Sequence, residues 1–135
     1  MHKHITTLAK RKVKIQQIKI EVFCTLQVEG THSWPGCPYE EVAYLRDEHR
    51  HMFHIKAYKS VIHSDRDVEF IMLKHEIQIY LHTMYYWAKN KIHRFGAKSC
   101  EMIAQELIDN FELSRCEVSE DGENGAIVEV TYVGP

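Results

Sequence analysis

His49-Arg-His-Met-Phe-His-Ile-Lys-Ala-Tyr-Lys59, taken together with His32 just upstream, is the stretch on which fold and site both turn. As a β-strand over about residues 49–63 it alternates its side chains between two faces. His49, His51, Phe53, Ile55, Ala57 and Val61 then share one mostly apolar face, with Arg50, His54, Lys56 and Ser60 opposite. Two imidazoles at successive same-face positions can share one metal ion, and His32, at the end of the preceding strand, is the natural third ligand. Three protein nitrogens with one open position is the arrangement of catalytic zinc. From spacing alone, three unrelated histidines beside a loop would read the same way.

The strand before it spans about residues 13–29. Ile18, Ile20, Val22, Cys24, Leu26 and Val28 alternate with Lys19, Glu21, Thr25, Gln27 and Glu29, and Phe23 is the apolar exception on the polar side. Carrying the count through Gly30 puts His32 in phase with the apolar face. Residues 30–48 carry Gly and Pro punctuation and read as a loop, within which Glu40 to Arg46 can form a helical turn. A loop of this length in a small domain usually has a function.

Ser64-Asp-Arg-Asp67 has the Ser-x-x-acid pattern of a helix start, and a helix is expected from Val68 to about Lys91, with Phe70, Leu73, Ile77, Leu81, Met84 and Ala88 on one stripe. Gly96 breaks the chain. Ser99 can cap a second helix with Cys100, Ile103, Ala104, Leu107, Ile108 and Phe111 at three-four spacing. Two strands, about 114–120 and 126–133, follow around the turn-forming Glu-Asp-Gly-Glu-Asn-Gly. Cys116, Val118 and Glu120 share a phase in the first, and Ala126, Val128, Val130 and Tyr132 in the second. This order, ββααββ, implies an α+β domain with two helices covering one face of a four-stranded antiparallel sheet.

With 135 residues, a formal charge of -2 and 44% hydrophobic residues, the chain is expected to form one domain (13–135) after a basic N-terminal segment (1–12). The charge argues against a dedicated nucleic-acid binder. No apolar run is long enough to span a membrane and the start is too polar for a signal peptide, so a cytoplasmic protein is expected. The four cysteines are scattered without a Cys-x-x-Cys pair, which leaves a disulfide framework or zinc ribbon without support. Cys37, between Gly36 and Pro38, reads as an accessible loop thiol.

Several strings in this order resemble the family of 6-pyruvoyltetrahydropterin synthase and 6-carboxytetrahydropterin synthase, which has the tunnelling fold (T-fold). They are Thr31-His32-Ser33, His49-Arg50-His51, Val68-Glu69-Phe70-Ile71-Met72-Leu73-Lys74, Ser99-Cys100-Glu101-Met102-Ile103-Ala104 and Val118-Ser119-Glu120-Asp121. Each is weak alone, and together they run from about residue 18 to the end. The resemblance implies catalytic zinc on His32, His49 and His51, and a pterin ring bound by Glu120, with Glu101 a second substrate-binding residue. It also implies a homo-oligomeric barrel with ligand sites between subunits, and zinc-dependent lyase chemistry on a dihydroneopterin triphosphate-like substrate. The sequence departs from the family twice. The position four residues before His-x-His, a catalytic Cys there, is Leu45, and the Asp-His pair after the first helix falls at Tyr85-Tyr86-Trp87. Cys37 is the nearby thiol and His82 the nearest helical imidazole left to take those catalytic roles. The alternative is a non-catalytic protein that holds a nucleotide, purine-like ring or pterin in the same pocket.

Overall fold

Apolar side chains at every second position give a strand one face that must be covered, and the burial pattern follows that rule from Cys24 onward. The computed structural model describes residues 17–131. Strand β1 (Ile20–His32) buries Cys24, Leu26, Val28, Gly30 and His32 in strict alternation. Ile18 lies ahead of the strand and is exposed. Residues 13–16, expected to open this strand, and the basic segment 1–12 lie outside the described residues, as does Tyr132. Strand β2 (His49–Val61) runs antiparallel to β1 over the whole length of both, from Ile20 opposite Val61 to His32 opposite His49. Between them the expected helical turn appears as a 3-10 helix, Glu40–Arg46.

Helix α1 (Phe70–Tyr85) starts and stops elsewhere than the sequence suggests. Its N-cap is Glu69, whose carboxylate accepts from the amides of Ile71 (3.0 Å) and Met72 (3.2 Å). Ser64–Asp67 instead forms a turn in which the Asp67 side chain accepts from the Ile62 amide. Only Leu73, Ile77 and Leu81 of the expected stripe are buried, while Phe70 and Met84 are exposed. The helix ends at Tyr85 because the aromatic run that follows finds strand partners. Strands β3 (Tyr86–Trp87) and β4 (Ile92–Arg94) form a small hairpin, with the Arg94 guanidinium 4.5 Å from the Trp87 ring centre. Aromatic side chains favour such pleated, half-covered positions.

Strand β4 then lies parallel to β1, pairing Gly30 with His93 and Thr31 with Arg94. Gly30 is glycine for a packing reason: a Cβ there would sit 2.8 Å from the Phe95 ring and 3.0 Å from the His93 carbonyl. Helix α2 (Cys100–Phe111) has the expected cap, Ser99 Oγ accepting from the Met102 amide, and buries Cys100, Ile103, Ala104, Leu107 and Ile108. Strands β5 (Arg115–Glu120) and β6 (Asn124–Glu129) complete the sheet. Its order is β3-β4-β1-β2-β5-β6. The expected four-stranded antiparallel ββααββ sheet is therefore corrected to a mixed, six-stranded one. The two added strands are two and three residues long, too short to show any periodicity. The class remains α+β. One core joins both helices to the same face of β1, β2 and β5. Among the described residues no helix is long and apolar enough to cross a membrane.

The helices are also tied by a polar cluster. Glu106 on α2 accepts from Tyr80 (2.7 Å) and Tyr85 (2.5 Å) of α1, and pairs with Lys98. Burial alone would raise the Glu106 carboxyl, but the hydrogen bonds from Lys98, Tyr85 and Tyr80 outweigh it and hold the group below the usual carboxylate range. A carboxyl whose pKa is depressed by folding stabilises the protein fully above the unfolded value, roughly 4.3 for Glu, and loses that contribution as pH falls through the folded value. Glu106→Gln should therefore flatten the acid side of a plot of unfolding midpoint against pH. An unchanged acid limb would assign acid sensitivity to other groups.

Candidate metal centre

The long β1–β2 ladder sets three imidazoles at one end of the covered face. His32 and His49 are directly opposite each other, and His51 is the next same-face residue along β2. Their ring centres form a triangle with sides of 4.6, 5.0 and 5.4 Å. Glu120 joins them from the end of β5, which pairs with β2 through Phe53. One ligand atom from each of His32, His49, His51 and Glu120 lies within 4.8 Å of all the others. This cluster could hold a metal ion.

The outer hydrogen bonds say which nitrogen each ring offers. His32 Nδ1 donates to the Lys98 carbonyl (2.9 Å), His49 Nδ1 to the Asp47 carbonyl (2.8 Å), and His51 Nδ1 to the Asp121 carboxylate (2.7 Å). A carbonyl can only accept, so Nδ1 carries the proton in His32 and His49. Asp121 is held below the usual carboxylate range by the Met52 amide, then by His51, and it too is an acceptor. In a neutral imidazole this puts the lone pair on Nε2, the nitrogen a metal would use. All three Nε2 atoms are buried without a hydrogen-bond partner. A buried acceptor left unpaired costs about 1–3 kcal/mol, and three converging on one point make little sense without a shared cation. Fixing the distal nitrogen of each ligand is how proteins orient imidazoles toward a metal. The residues fit a metal.

Sequence neighbours were poor guides to these outer partners. Asp47 contributes its backbone carbonyl, while Glu48 binds Thr31 (2.8 Å) and Arg94 (2.7 Å). The Lys98 carbonyl left no mark in the sequence. Asp121 could have been suspected, since it directly follows Glu120 in the β5–β6 turn and takes a positive φ of 57° there.

A cavity of about 500 Å³ opens onto the cluster. His32, His49 and Glu120 line it together with Trp34, Leu45, Lys98, Cys100, Glu101 and Asn124, among others. Glu101 and Glu120 line the same cavity. Cys37 and His82 do not join them. Cys37 is 3% exposed, closed in by the 3-10 helix, with its thiol directed at the Tyr39 and Val42 carbonyls (3.7 and 3.8 Å). That corrects the expectation of an accessible loop thiol. His82 lies on the exposed side of α1, stacked on Tyr86 at 4.2 Å. The thiol that does line the cavity is Cys100. Burial, followed by the nearby Glu120 and Glu101 charges, pushes it up to about 12. It is a thiol, not a thiolate, at neutral pH.

Compared with known proteins, the sequence matches no family model and no curated protein.

Proposed function

We propose that this is a zinc protein of the pterin-synthase type, whose cavity binds a flat heterocycle such as a pterin beside the metal. The observation that carries the reading is the convergence of three buried, unpartnered Nε2 atoms on rings fixed through Nδ1. A shell of imidazoles suits zinc among the divalent metals. Bound there, zinc would polarise a ligand oxygen or lower the pKa of a bound water. Glu101 and Glu120 offer carboxylate oxygens to the paired N–H groups at the edge of a pterin or purine-like ring. Among the described residues β3 and β6 are the edge strands of the sheet, and an assembly of identical subunits would cover them.

A second reading, a binding protein without turnover, is favoured by the cavity wall. Leu45 stands where the pterin synthases place their catalytic thiol, Cys37 faces away, and Cys100 is held protonated. Among the described residues lining the cavity there is no aspartate to form the Asp–His pair of those enzymes. Incubating zinc-loaded protein with dihydroneopterin triphosphate separates the two. A lyase would release the phosphate chain; a binding protein would return the compound unchanged from a measurable complex. Absence of any binding to the zinc-loaded protein would overturn the pterin reading.

A further inference from the structure

We propose that Glu120 is a fourth metal ligand in the resting protein, so that the site is closed by its own carboxylate and opens only when a bound molecule displaces it. The inference rests on the zinc reading above and changes the role of one residue in it. Glu120 Oε2 lies 2.7 Å from His32 Nε2 and 3.7 Å from His51 Nε2. With Nδ1 of His32 turned to the Lys98 carbonyl, Nε2 is the ring nitrogen that meets the carboxylate. A carboxylate oxygen this close to a side chain only 9% exposed calls for a shared positive charge, and a metal ion would supply it to all four residues at once. His49 and His51 each bring a ligand atom within 4.8 Å of those of His32 and Glu120. Three imidazoles and one carboxylate make the four-coordinate shell of a closed zinc site, where an open fourth position would have marked a catalytic one.

Glu120 is also the member of the set free to leave. Its side chain is 28% exposed against 9% for His32, and it lines the cavity beside Glu101. The imidazoles are each pinned through Nδ1, whereas among the described residues the Glu120 carboxylate has no polar side-chain partner besides His32 and His51 themselves. Gln at this position keeps the shape and removes the anionic oxygen, so Glu120→Gln is the informative change.

The experiment loads wild type, Glu120→Gln and Glu101→Gln with cobalt(II) and follows the visible spectrum during titration with azide, a small anion that reports an open position. Glu120→Gln should respond to azide at a concentration at least about tenfold lower than wild type, and should hold zinc about tenfold more weakly in competition with a chelator. Glu101→Gln removes the same charge from the same cavity. It should titrate like wild type, which separates ligation from simple relief of anion repulsion. Equal azide response in all three proteins overturns the inference while leaving the zinc reading intact. Should Glu120→Gln not fold, a wild-type cobalt spectrum that shifts readily with azide overturns it alone. Failure of the wild type to take up either metal overturns both.

Discussion

Replacing His49 and His51 together by alanine should leave a folded protein that has lost its metal. Elemental analysis should find about one zinc per chain in the native protein and essentially none in the variant. Both side chains sit at the rim of the sheet, so their loss removes little buried apolar area and the apo fold should persist. The metal itself binds only the folded arrangement, so native protein should unfold at a higher temperature with zinc than after chelation, and the variant should show no such difference. A variant that retained zinc would place the metal elsewhere. A well-folded native protein that took up none, even after incubation with zinc, would sink the three-histidine site.

The second large effect is expected from below the site. Phe53→Ala should destabilise the protein by about 3–5 kcal/mol, the usual cost of deleting a fully buried aromatic ring. Phe53 is completely buried and stacks edge-on against His32 (5.1 Å between ring centres), His51 (5.8 Å) and Phe95 (5.1 Å). The ring is therefore both core and the wall against which His32 and His51 rest. Zinc affinity should fall with stability, since rings with room to tilt no longer hold their lone pairs on one point. Phe53→Leu, which refills most of the volume, should cost under about 1.5 kcal/mol and keep the metal. Denaturant unfolding together with chelator competition measures both quantities. Equal midpoints for the two variants would show that the ring is not packed as described.

What the sequence disclosed and what it withheld have separate physical origins. The long strands were legible because alternation over many residues has no cheap alternative, and that phase carried past Gly30 to put His32 beside His49. The second helix was legible for the same reason, with Ser99 as a clear start signal. Strands β3 and β4 were not, because Tyr85-Tyr86-Trp87 also fits a continuing helix and only a partner strand distant in the chain decides between them. Ser64–Asp67 looked like a helix cap, yet Glu69 lay nearer the apolar run and took that role. Cys37 was misjudged because Gly and Pro neighbours say that a segment turns, not which side of the turn faces water. The three histidines of the candidate metal centre were visible through residue type and register. Their outer partners were hidden because two are main-chain carbonyls, which every residue has.

The separation of ligands from outer partners along the chain has a consequence for assembly. His32, His49 and His51 all leave the ribosome long before Lys98 and Asp121, which fix two of those rings, and before Glu120. A half-made chain can pair its first two strands and still lack the acceptors that decide which nitrogen of each ring faces the ion. Selective capture of an ion by this cluster would thus wait until the last hairpin closes, and the finished fold, not the nascent chain, would choose it.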